Sequence, residues 1–236
     1  ALAAEGKPAG LKGQIQRRMP GTITVNRYGQ RFCNEASSYD SAWRTYFAWD
    51  NFGDNGLRNV PAYMISDKKQ KPNTEVGVEQ AETLAELAES LGIDPLGLEA
   101  TVAEFNANAL NAEDPHFHRG ESAYDRAYGP TLAPIEKAPF YGVEVAPGDL
   151  GTCGGVRVDG RARAIDAFGK VIDRLYASGN CAGVGGPGAG YGGGGGTIGP
   201  ALTFAYIAGT EVAALTPLSL PGDRAETTPG GDTGFL

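Results

Sequence analysis

The stretch "YGGGGGTIGPALTF", residues 191–204, sets five consecutive glycines between one tyrosine and an apolar run. A flexible linker is one reading, because glycine-rich chain behaves as random coil. A linker is not expected to lead straight into Ile198, Leu202, Phe204, Tyr206 and Ile207. The other reading is a chain that passes close to a flat ligand and then starts a helix. Gly199-Pro200 puts proline in the first helical turn, where its missing N–H costs nothing. Such a terminus presents unpaired N–H groups and the positive end of a dipole, which suit a ligand that develops negative charge. Glycines in front of it let backbone N–H groups meet ligand atoms with no side chain between.

The rest of the chain bounds what that ligand site belongs to. The 236 residues suffice for one large domain or two small ones. A hydrophobic fraction of 41% and a charged fraction of 20% are ordinary for a globular protein. The 36 glycines are about twice the usual share and concentrate between Gly148 and Gly209. A net charge of −8 with no basic stripe argues against nucleic acid. No apolar stretch is long enough to span a bilayer, and "ALAAEGKPAG" lacks the regions of a signal peptide. Cys33, Cys153 and Cys181 are sparse and form no CxxC pair, so we expect reduced thiols, a cytoplasmic setting and no metal site. His116 and His118, in "EDPHFHRG", read as surface groups of a polar loop.

Along the chain, "GTITVNRYGQRF" alternates about Tyr28-Gly29 and predicts a hairpin. "SAWRTYFAW" predicts a short aromatic helix and "PAYMISD" a buried strand. Thr83 and Glu86 form a capping-box pattern ahead of Leu84, Leu87 and Leu91, with Gly92 as the stop. Asp94-Pro95 opens a second helix whose buried stripe is Leu98, Val102, Phe105 and Ala109. Residues 111–139 read as a polar, proline-marked excursion, and from Phe140 the texture becomes short strands and glycine turns. The expected division is residues 1–139, a second segment 140–215, and a disordered tail 216–236.

Three motifs together resemble the FAD flavoproteins of the fumarate reductase and 3-ketosteroid dehydrogenase superfamily. They are "LYASGN" before the glycine run, "TIGPALTFAYIAG" after it, and "GTITVNRYGQRFCNEASSYD" near the start. The resemblance implies an α+β or α/β fold. Residues 1–139 would be a substrate (cap) domain and 140–215 the C-terminal part of a Rossmann-like FAD-binding domain. The cofactor would be FAD, held by Asn180, Gly199, Pro200, Ala201 and Leu202. Departures choose the branch. Where fumarate reductases carry the proton-donating arginine, four residues after the "NE" glutamate, this chain has Tyr39. Their two carboxylate-binding positions fall on Gly151 and Gly192. A dicarboxylate there would keep its charges unpaired, which is costly in a closed pocket.

The ketosteroid dehydrogenase branch instead has tyrosine in that slot and a tyrosine-glycine motif before a threonine-led helix. The resemblance implies that Tyr39 removes the proton α to a ketone, while the Tyr191 hydroxyl and the Gly195 N–H hold the carbonyl oxygen. Two neutral donors stabilise an enolate without demanding a charged substrate, and a phenolate is a credible base. The substrate would be a hydrophobic cyclic ketone of 3-ketosteroid type. No GxGxxG follows a strand before Arg18. The N-terminal dinucleotide half is therefore expected to reside in another segment or a separate subunit. A flavin-dependent ene-reductase, and a non-catalytic subunit supporting a flavoprotein partner, are the competing readings. Tyr46, Tyr63, Tyr124, Tyr128, Trp43, Phe47 and Trp49 read as packing groups, and Arg18, Asn34 and Glu35 suit a structural role as well as a functional one.

Overall fold

The computed structural model describes residues 3–4, 7–8, 15–53, 56–72, 77–148, 154–183 and 194–215. Two compact units divide them: Ala1–Cys153 with Gly186–Gly196, and Gly154–Gly185 with Thr197–Leu236. The mixed α/β character expected from the sequence is present in both. Among the described residues no helix is long and apolar enough to cross a membrane, and no cluster of His, Cys, Asp and Glu could hold a metal.

The first unit is built on a four-stranded antiparallel sheet. Its strands are β1 (Thr22–Asn26), β2 (Ala62–Ser66), β3 (Val78–Ala81) and β4 (Phe140–Val145), in the order β1-β2-β4-β3. Ile23 pairs with Ile65, Met64 with Val143, and Val78 with Val143. All five residues of β1 and of β2 are buried, as expected for "PAYMISD". The strand beginning at Phe140, expected to open the second segment, is an inner strand of this sheet. The compact units part instead between Cys153 and Gly154.

Helices α2 (Leu84–Leu91) and α3 (Pro95–Ala109) form as their boundary residues dictate. Thr83 accepts from the Glu86 N–H and Glu86 reaches back to the Thr83 N–H, completing a capping box. Gly92, at φ +70°, ends α2 in the left-handed conformation that glycine adopts freely. Asp94 caps α3 with Pro95 in its first turn. The stripe Leu98, Val102, Phe105 and Ala109 is buried, joining Ile23, Val25, Ile65 and Leu87 in one core. The expected hairpin reduces to its turn. Gly29 N–H bonds the Asn26 carbonyl at 2.9 Å, and the return limb contributes a single bridge, Val25 with Arg31. The partner of β1 is β2, because pairing with an apolar strand buries both faces.

The excursion 111–139 is structural rather than peripheral. Asp114, Arg119, Asp125 and Ile135 within it are almost wholly buried. His116 and His118 are exposed, bonded to Glu104 and Glu121, as expected of surface groups. The second unit holds the antiparallel pair β5 (Arg163–Ile165) and β6 (Val171–Tyr176), then a 3-10 turn at Gly179–Cys181 and helix α4 (Ile198–Ala213). Tyr191, Gly151, Gly192 and the tail 216–236 lie outside the described residues.

Candidate functional site

The segment Asn34–Ser38 delivers Tyr39, so its surroundings come first. Glu35 is fully buried beside Arg119 (0% exposed side chain) and Arg31 (7%). Arg31 holds Glu35 through two nitrogens at 2.9 and 2.7 Å and spans Asp114 at 3.0 and 2.8 Å. Arg119 donates to Glu35 at 3.1 Å and to the carbonyls of Thr22, Arg18 and Met19. Glu35 also accepts the Thr24 N–H at 3.0 Å. The outer edge of β1 thus finds side-chain partners where a further strand would otherwise be needed. Burial alone would raise the Glu35 pKa, but Arg31, Arg119 and the hydrogen bonds outweigh it and hold it at about 2. Burial pushes the Cys33 thiol up to about 12, with Glu35 adding to the effect. Glu35 therefore stays ionised and Cys33 stays protonated at neutral pH.

Two further groups brace the same loop. Arg17 donates to the Glu35 carbonyl at 2.6 Å and the Ser37 carbonyl at 2.8 Å. Asp125 accepts from Asn34 Nδ2 and from the Gly120 N–H, each at 3.0 Å. Asn34 in turn accepts the Ala36 N–H at 2.8 Å and its carbonyl accepts the Ser37 hydroxyl at 2.7 Å. Ser38 caps helix α1 (Tyr39–Arg44), placing Tyr39 at its first position, half-buried. A 3-10 turn, Thr45–Phe47, continues it, as expected for an aromatic helix. A cleft of about 590 Å³ opens between Asn34–Ser38 and residues 118–125. Glu35 and Asn34 are therefore loop anchors. Arg18 lies over the rings of Tyr124 and Tyr128, each at 4.8 Å.

Gly195 has φ +93°, a conformation that L side chains rarely adopt, and among the described residues an added Cβ would meet nothing within 4 Å. Open space at a strained glycine suits a backbone that faces a ligand. Tyr191, its expected companion, lies outside the described residues.

In the second unit the structure brings the other expected residues together. Asn180 sits in the Gly179–Cys181 turn, and a Cβ on Gly179 would lie 3.2 Å from that of Ala201. The turn therefore packs on the first turn of α4, which carries Gly199, Pro200, Ala201 and Leu202. Among the described residues, a Cβ added at Gly199 would meet nothing within 4 Å. Ile198 is 63% and Leu202 66% exposed. The N–H donors of a helix N-terminus beside exposed apolar side chains fit the acceptor-rich edge of a planar heteroaromatic ring. The FAD expected from the resemblance passes this test.

Sequence reading had no means of finding Arg17, Arg31, Asp114, Arg119 and Asp125. Arg31 and Glu35 have helical i,i+4 spacing but lie on no helix, and Asp114 and Arg119 are more than eighty residues away.

Known proteins bear on this arrangement. The family described as "FAD binding domain" matches residues 6–197. The chain is 40% identical over 229 residues to 4-oxocyclohexanecarboxylate 2-dehydrogenase of Sinomonas cyclohexanicum, covering 89% of this chain and 39% of that protein. It is 40% identical over 225 residues to 3-oxosteroid 1-dehydrogenase of Mycobacterium tuberculosis strain H37Rv, covering 84% and 39%. The 3-ketosteroid Δ1-dehydrogenase of Sterolibacterium denitrificans superposes with a TM-score of 0.78 at 34% identity, over 90% of this chain and 42% of that one. The chain spans about two fifths of the length of these relatives. The resemblance read from "LYASGN", "TIGPALTFAYIAG" and "NEASSYD" is borne out: the chain belongs to the FAD binding domain family of flavoproteins, and its cofactor is FAD.

Proposed function

We propose that the chain forms part of a FAD-dependent dehydrogenase that desaturates a hydrophobic cyclic ketone, of 3-oxosteroid or oxocyclohexane type. The observation that carries this reading is Tyr39, set at the first position of α1 by a loop with buried anchors. Relatives that desaturate a ring ketone support the substrate class. In the proposed reaction the Tyr39 oxygen takes the proton from the carbon α to the carbonyl. The C–H electron pair moves toward the carbonyl oxygen, which the Tyr191 hydroxyl and Gly195 N–H hold as it becomes an enolate. When bound, FAD would supply the hydride acceptor for the adjacent carbon. The N–H groups opening α4 and the side chains of Asn180, Ile198 and Leu202 would hold its ring. The first compact unit serves as the substrate side and the second as the C-terminal part of the FAD domain. The adenosine half of FAD belongs to a GxGxxG segment of the same polypeptide or a partner. The sparse free thiols Cys33 and Cys181 favour a cytoplasmic setting.

The test is single-turnover flavin bleaching by a 3-oxosteroid and by 4-oxocyclohexanecarboxylate, in the FAD-loaded enzyme. Tyr39→Phe is expected to slow bleaching by about a hundredfold or more while retaining FAD, the scale of losing a general base. Gly195→Pro deletes the proposed donor and should cost about 3 kcal/mol in the transition state. Gly195→Ala keeps the N–H but strains it at φ +93°, so an intermediate loss is expected. Wild-type rates in all three variants would refute the reading.

A further inference from the structure

We propose that Arg17 and Asp125 are positioning residues for Tyr39, acting through the loop Asn34–Ser38 without touching substrate. The inference rests on the reading of Tyr39 as the base. A base must be held within a fraction of an ångström of its proton, and a loop does this only when its backbone is tied at several points. Here the ties converge on five residues from two sides. Arg17 crosses the loop from the N-terminal side, its two terminal nitrogens on the carbonyls of Glu35 and Ser37. A guanidinium is a rigid fork, so these two bonds set the spacing of the carbonyls as well as their position. Burial lowers the Arg17 pKa, and the bonds to Glu35 and Ser37 that it makes go to backbone oxygen rather than to a carboxylate. A half-buried arginine bonded in that manner serves geometry in preference to charge pairing.

Asp125 closes the other side. It is 3% exposed and accepts from Asn34 Nδ2 and the Gly120 N–H. Asn34 then uses its own oxygen on the Ala36 N–H, so the turn is fixed at both ends. The Glu35 side chain anchors the same loop to β1 through Thr24. One residue after Ser37, Ser38 starts the helix that carries Tyr39. Tyr39 thus inherits its place from a turn in which the Glu35 and Ser37 carbonyls and the Asn34 and Glu35 side chains are held.

Arg17→Lys keeps the charge but cannot span two carbonyls, and Asp125→Ala removes the oxygen, Oδ2, that two donors share. Both are measured beside Tyr39→Phe in the FAD-loaded enzyme, by single-turnover flavin bleaching with protiated and α-deuterated ketone, and by melting temperature. The amplitude reports the fraction of competent sites and the rate constant reports the chemistry in each. The expected result is a rate constant at least tenfold lower in both variants, with amplitude and KM within threefold of wild type and the α-deuterium effect no smaller. Unchanged rate constants, with only amplitude or melting temperature reduced, would overturn the positioning role and make both residues stabilisers of the fold. A hundredfold loss in Tyr39→Phe beside wild-type rates in the other two would reject the positioning alone. A wild-type rate in Tyr39→Phe would reject the function reading, and this one with it.

Discussion

Glu35 shows how a single residue can carry a fold. Its carboxylate completes the edge of β1 and lies between two guanidinium groups, buried to 0% exposure. Removing one member of a buried ion pair strands the others, which costs more than the pair contributes. Glu35→Gln is therefore expected to lower stability by about 3–5 kcal/mol at pH 7 in chemical denaturation. The pH dependence follows from its pKa, about 2 in the folded chain against 4.5 ordinarily. The stabilisation is fully present above the unfolded value and is lost as pH falls from there toward 2. Denaturation midpoints measured from pH 7 to pH 3 should drop for wild type below pH 4.5, and Glu35→Gln should show a shallower fall. A parallel fall in both would assign the acid sensitivity to other carboxylates.

At the scale of elements, the first turn of α3 and the turn after β1 interlock through two glycines. A Cβ on Gly97 would collide with the Tyr28 carbonyl, and one on Gly29 with the Leu98 N–H. Asp94 N–H, just ahead of α3, bonds the Arg27 carbonyl at 2.9 Å. In an isolated helix, exchanging glycine for alanine stabilises by about 1 kcal/mol. Here the sign reverses, because backbone cannot yield as a flexible side chain does. Gly97→Ala is expected to destabilise by about 1–3 kcal/mol. Thr83→Ala, which removes one half of the α2 capping box, should cost about 1 kcal/mol. Urea melts of the two variants distinguish the effects, and a stabilised Gly97→Ala would show that the turn moves away from α3.

For the whole molecule, helix α4 sets the behaviour in solution. None of its residues is buried, and Ile198, Leu202 and Tyr206 are 63%, 66% and 78% exposed. A contiguous apolar face of this kind marks an interaction surface or a tendency to associate. In the proposed enzyme that face meets FAD and the GxGxxG segment. The chain by itself is expected to bind an apolar-surface dye and to self-associate. Adding FAD with the part of the Sinomonas relative that lies outside the match should suppress dye binding and yield a yellow complex on gel filtration. A monodisperse chain with no dye signal would contradict this.

Local chemistry made much of the fold legible. The capping box at Thr83–Glu86, the left-handed stop at Gly92, the Asp94-Pro95 start and the stripe Leu98, Val102, Phe105 and Ala109 are written in neighbouring residues, and they form as read. Family membership and FAD were likewise legible, because "LYASGN" and "TIGPALTF" are short contiguous motifs that can be recognised without the fold. The predicted hairpin formed only its turn and one bridge, Val25 with Arg31, for a physical reason: alternation specifies two faces but not a partner, and β1 pairs along its length with β2, nearly forty residues away. The boundary near Pro139 missed because β4 enters between β2 and β3, a choice made by core burial and not by local composition. The loop anchors Arg17, Arg31, Asp114, Arg119 and Asp125 were invisible for the same reason. A buried charge is tolerable only beside a counter-charge or hydrogen-bond partners, and the meeting of Arg119 with Glu35, eighty-four residues apart, exists only once the chain has folded.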